Sequence, residues 1–221
     1  MTAPPSVLVL HDLGAPQGAT PWPDAFAAAG WPGRVIAPDL PGHAGTPPSV
    51  GGPHDLADPA FFVATLDLSA PVDVVVGVGA SGWSAQLVAL GGRARAVALV
   101  DGTGAPWRDR RQQLLELRRR AQALLRLAVD PADHAPGRLA PALVHPPLRH
   151  GSERLAHRVV AALDVPLLVI EPDRHGLSDE ALDELVASAT STATVERTDV
   201  RSTVEVASVI TRWSMSTLGS P

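Results

Sequence analysis

The sequence predicts an α/β fold, with a mostly parallel sheet of about six strands, helices on both faces and a helical lid insertion. Three observations lead there. Short β-branched runs alternate with longer helical patterns along the chain. The 221 residues and 45% apolar content suit one substantial core in a single domain, 1–221. More than sixty residues separate the fourth strand pattern from the fifth, far beyond a simple crossover, which places the lid at about 104–150.

The elements follow in order. Strands are expected at residues 6–10, 34–38, 72–78, 96–101, 166–170 and 193–197. Helices are expected between and after them at about 22–29, 56–68, 81–90, 108–129, 153–163, 179–188 and 203–215. Two helix starts carry local signals. Ser178 precedes Asp179 and Glu180, acids favoured near a helix N-terminus, and Ser202 with Glu205 has the spacing of a capping box. The longest uncharged run, residues 74–92, holds Gly77, Gly79, Gly82, Ser81, Ser84 and Gln86, so it reads as strand, turn and helix rather than a membrane span.

Composition narrows the function classes. The chain has no cysteine, which removes disulfides, thiolate metal sites and a cysteine nucleophile. All 18 basic residues are arginine, a pattern of base composition more than of chemistry. A net charge of -5 argues against a nucleic-acid partner. The N-terminus has no basic region before its short apolar run and does not read as a signal peptide, so a cytoplasmic location is expected.

Three segments have a recognisable spacing: His11-Asp12-Leu13-Gly14 after the first strand, Asp39-Leu40-Pro41-Gly42-His43-Ala44-Gly45-Thr46 after the second, and Gly77-Val78-Gly79-Ala80-Ser81-Gly82-Trp83 after the third. Together they resemble the α/β-hydrolase fold family over nearly the whole chain. The resemblance implies a trimmed α/β-hydrolase fold lacking the family's first two strands. It also implies that the loop at Asp12 and Leu13 supplies one oxyanion-hole amide. The third segment then corresponds to the family's nucleophile elbow, a strained strand-to-helix turn that needs small residues around the nucleophile.

Residue size distinguishes two registers for this elbow. With Gly79 at the nucleophile position, Gly77, Ser81 and Gly82 are small where the turn requires it. With Ser81 as nucleophile, bulky Trp83 falls on a small-residue position. The first register is favoured, and it leaves a glycine where the family carries serine. The family's histidine belongs after the last strand, yet residues 198–202 contain none and the last histidine is His175. A serine without an imidazole to take its proton is a poor nucleophile in either register. The acid position falls on His175, with Asp173 two residues earlier and Asp101 as the alternative after the fourth strand. Both aspartates read as loop or capping residues.

The other candidates have plainer readings. His11 and His43 are expected to organise loops by hydrogen bonding, whereas His175 stands at a strand's carboxyl end, where ligands collect in parallel sheets. The spacings of His134, His145, His150 and His157 do not make a metal site, and no metal or other cofactor is expected. Arg108, Arg110, Arg111, Arg118, Arg119, Arg120 and Arg126 form the polar face of an amphipathic lid helix. Trp22, Trp83 and Trp107 fit core packing better than a pocket wall.

The resulting expectation is a family member without a serine nucleophile or catalytic histidine, acting as a non-hydrolytic small-molecule binder or accessory protein. Its ligand-binding set is Asp12, Leu13, Gly79, Ala80, Ser81 and His175. Glycine at 79 should leave room before the turn's amides for an acidic ligand, with no nucleic acid or membrane involved. Two alternatives stand beside it: an esterase-like serine hydrolase using Ser81 or Ser84, and a protein that binds a partner through the arginine-rich helix. A lyase or isomerase using the pocket is also compatible with the residues.

Overall fold

The computed structural model describes residues 4–12, 15, 17–41, 43, 46, 58–101, 158–171, 179–189, 191–197 and 202–219. Six strands form its sheet: β1 (Ser6–Leu10), β2 (Arg34–Ile36), β3 (Val74–Val78), β4 (Val97–Val100), β5 (Leu167–Glu171) and β6 (Ala193–Arg197). Every pairing is parallel, in the order β2-β1-β3-β4-β5-β6. The helices are α1 (Pro21–Ala28), α2 (Asp58–Thr65), α3 (Gly82–Leu90), α4 (Asp179–Ser188) and α5 (Thr203–Thr217). A short 3-10 turn, Gly79–Ser81, joins β3 to α3. Residues 158–162 are also helical.

A strand sends alternate side chains to opposite faces, and here both faces are apolar because helices cover both. Val7 and Val9 of β1, Val74 and Val76 of β3, and Leu168 and Ile170 of β5 join Trp22, Phe26, Ile210 and Trp213 from α1 and α5. Leu8 and Leu10, Val75, Val97 and Leu99, and Leu167 and Val169 face the other way. There they meet Val63 of α2, Trp83 and Val88 of α3, and Leu182 and Leu185 of α4. Burying one such side chain is worth about 1.5–3 kcal/mol, so these two layers dominate the fold's stability. Trp22 and Trp83 lie in different layers, as core residues, and do not enclose a common pocket.

The capping box at α5 is present: the Glu205 N–H donates to Ser202 Oγ at 3.2 Å, and the Ser202 N–H donates to Glu205 Oε2 at 2.9 Å. The expected lid at about 104–150, its arginines and Trp107, and the histidines at 134, 145, 150 and 157 lie outside the described residues. Among the described residues no helix is long and apolar enough to cross a membrane.

Candidate functional site

In an open parallel sheet, ligands collect beyond the carboxyl ends of the strands, where the strand order reverses. Here the reversal lies between β1, which continues to β2 on one side, and β3 on the other. Asp12 follows β1 and Gly79 follows β3, so the two residues meet at this crevice.

The elbow is built by two glycines with different reasons for being glycine. A Cβ on Gly77 would lie 2.6 Å from Gly82 Cα, 2.7 Å from Ala85 Cβ and 2.8 Å from the Ser81 carbonyl oxygen. Residue 77 must therefore be bare for α3 to pass close to β3. Gly79 instead takes φ +54°, the left-handed region that glycine enters without steric cost. A Cβ there would collide with the Asp12 carboxylate, 2.5 Å from Cγ and 2.8 Å from Oδ2, with Oδ1 also in contact. The Asp12 carboxylate thus stands where a side chain at position 79 would lie.

Ser81 lies in the turn, fully buried, and its hydroxyl donates to the His11 carbonyl at 2.6 Å. Ser84, in the first turn of α3, is also fully buried. Neither residue is exposed to solvent in this structure. Ser81 ties the elbow to the end of β1. Ser81→Ala removes that donor and leaves a buried carbonyl short of a partner, so it should cost about 1–3 kcal/mol in urea unfolding.

Two buried imidazoles support the same loops. The Leu40 N–H donates to His11 Nε2 at 3.0 Å. Because an N–H can only donate, Nε2 is the acceptor and the proton sits on Nδ1, which donates to the Asp12 carbonyl at 2.9 Å. His43 Nδ1 lies 3.1 Å from the Pro41 carbonyl, and its ring meets His11 edge-on at 4.8 Å. Burial pushes the pKa of His11 down and that of His43 down to about 4, so both rings are neutral near pH 7. Asp39 completes the support, its Oδ1 accepting from the Ala19 N–H at 2.8 Å ahead of α1.

The remaining candidates are dispersed. Ala80 lies in the 3-10 turn. Asp101 is exposed at the end of β4, at φ +54°, and its N–H donates to the Ile170 carbonyl at 3.0 Å. Leu13, Asp173 and His175 lie outside the described residues. Sequence reasoning passed over Glu171, which ends β5 and is buried. Its only signal was a glutamate closing an apolar strand pattern. No group of three metal-ligating side chains occurs among the described residues.

Comparison with solved structures agrees with this architecture. An enol-lactonase from Burkholderia xenovorans superposes with a TM-score of 0.66 at 18% identity, covering 100% of this chain and 93% of the other. A loop variant of a haloalkane dehalogenase from Bradyrhizobium elkanii gives 0.68 at 16% identity, over 97% and 90% of the two chains. A malate-bound thermophilic esterase from Thermogutta terrifontis gives 0.64 at 17%, over 97% and 88%. At these identities the likeness is one of fold. No curated protein matches by sequence. The profile of the alpha/beta hydrolase family matches residues 7–207, and the chain belongs to that family.

Proposed function

We propose that this chain is a non-hydrolytic member of the family, a small-molecule-binding or accessory protein that keeps the crevice but has no working Ser-His-acid triad. One observation carries the reading: the Asp12 carboxylate occupies the space that a side chain at Gly79 would need. Gly79 has the positive φ and the bare flanks of an elbow, with no atom to attack an ester. Ser81 and Ser84 are buried, and no histidine follows His175 in the sequence. A nucleophile acts together with its base, so losing both leaves little residual chemistry.

The test is covalent. Incubation of the whole protein with a fluorophosphonate, read by intact mass, should give no adduct, and activated short-chain esters should show no saturable turnover. Gly79→Ser should remain inactive, because restoring one member of a unit does not restore the unit. A stoichiometric adduct on Ser81 or Ser84 would overturn the proposal and establish the esterase alternative.

A further inference from the structure

Asp12 and Gly79 stand opposite each other by register. β1 and β3 pair Leu10 with Gly77, and two residues beyond each come Asp12 and Gly79. Partners in a parallel pair send their side chains to the same face, so positions 12 and 79 contend for one place. The bare, left-handed Gly79 leaves it to Asp12, whose carboxylate carbon lies 2.5 Å from where a Cβ at 79 would be.

The frame around that carboxylate stands without it. The Asp12 carbonyl accepts from His11 Nδ1 at 2.9 Å and from the Ala15 N–H at 3.1 Å. The preceding carbonyl, of His11, accepts from Ser81 Oγ at 2.6 Å, which ties residue 11 to the elbow. The Leu40 N–H in turn holds the His11 ring through Nε2. None of these bonds uses the Asp12 side chain, so shortening it should leave the place beside Gly79 with its walls intact. Asp12 also has a further interaction within the protein, so it is an engaged group. A carboxylate carried on a fixed backbone has given up in advance the freedom that a free ligand loses on binding, and it excludes competitors of its own kind.

Resting on the reading that the crevice binds rather than hydrolyses, we propose that the place beside Gly79 is a carboxylate site filled by the chain's own Asp12. The side chain is an internal ligand, an autoinhibitory contact that closes this part of the crevice to external carboxylates. The crevice of the native chain then takes its ligand without a carboxylate at this position, and a chain shortened at residue 12 accepts one.

Acetate is the Asp12 side chain detached from the backbone, and it tests this by thermal unfolding of the intact protein, with sodium chloride at equal concentration as the reference. In Asp12→Gly, acetate should raise Tm by about 2–4 °C once it exceeds its Kd several-fold, and the rise should saturate. The native protein should show no rise beyond that of chloride. Acetamide, which has the same shape without the charge, should act clearly less in the variant. Adding Gly79→Ala to Asp12→Gly refills the place with a methyl and should abolish the acetate effect, which locates it. If Asp12→Gly folds poorly, Asp12→Ala with formate, the group that substitution removes, makes the same test. Equal rises in native protein and variant, acetamide matching acetate, no saturable rise with either pair, or an effect that survives Gly79→Ala would each overturn the proposal. A fluorophosphonate adduct would defeat the non-hydrolytic reading whatever acetate does, whereas a missing acetate effect without an adduct defeats only the internal ligand.

Discussion

Lowering the pH from 6.5 to about 4 should cost the fold roughly 3 kcal/mol, chiefly through His43. Burial lowers this imidazole's pKa, and His11 beside it lowers it further; the carbonyls of Pro41 and Leu40 and the charge of Asp12 oppose the shift without overcoming it. The unfolded chain titrates His43 near 6.5 and the folded chain near 4. Between those values the unfolded state binds more protons, so stability is complete above pH 6.5, falls as the pH falls, and levels off below about 4. His11 is shifted in the same direction and adds to the loss. Its protonation also has a structural consequence: a charged ring must donate from Nε2, where the Leu40 N–H already donates. The loop after β2 should therefore detach first from the end of β1. Urea unfolding at steps across this range should show the midpoint falling, and His43→Gln should flatten most of the slope. A midpoint independent of pH, or one equally acid-sensitive in His43→Gln, would contradict this account.

The sheet was legible because its strands are apolar runs with local boundaries. β1 and β6 span the residues their patterns predict, and α4 does too. β2 stops at Ile36 instead of continuing to Pro38, whose nitrogen has no hydrogen to donate to a ladder. β3 starts at Val74 rather than Val72, which makes only an isolated bridge to Ala94. Asp73, next to it, uses its carboxylate to accept from the Ser6 N–H at 2.7 Å. β5 runs one residue further than expected because Glu171 pairs with Arg197 on β6. The capping box of α5 could be read because both partners lie within one turn.

The strand-to-helix turn was legible by a different route, since its small residues are adjacent in sequence between an apolar strand and a helical pattern. What the crevice contains was not legible. Asp12 reaches Gly79 only through the pairing of β1 with β3 and through its own side-chain rotamer. Ser81 likewise spends its hydroxyl on the carbonyl of a residue far away in sequence. Both facts are tertiary, and no local pattern announces them. A glycine suggests space, but the place its side chain would take is filled by a residue that follows another strand.

The two elbow glycines should respond differently to the same added methyl, and the difference tests the geometry on which the reading rests. Gly77→Ala drives its Cβ against Gly82 Cα and the Ser81 carbonyl, backbone atoms at the start of α3 that cannot turn aside. Relief requires the helix to move off β3, disturbing the layer that holds Trp83 and Val88, so the cost should reach about 3 kcal/mol, the upper end for overpacking. Gly79→Ala meets only the end of the Asp12 side chain, which can rotate away. Its cost should be mainly the left-handed backbone, about 1–2 kcal/mol for a residue with a Cβ, plus whatever Asp12 loses by moving. A double-mutant cycle with Asp12→Gly separates the two. Removing the carboxylate should lessen the penalty at 79 by at least about 0.5 kcal/mol and leave the penalty at 77 unchanged. If the penalties at both positions are additive with Asp12→Gly, the carboxylate does not lie over Gly79 in solution, and the non-hydrolytic reading loses the observation that carries it.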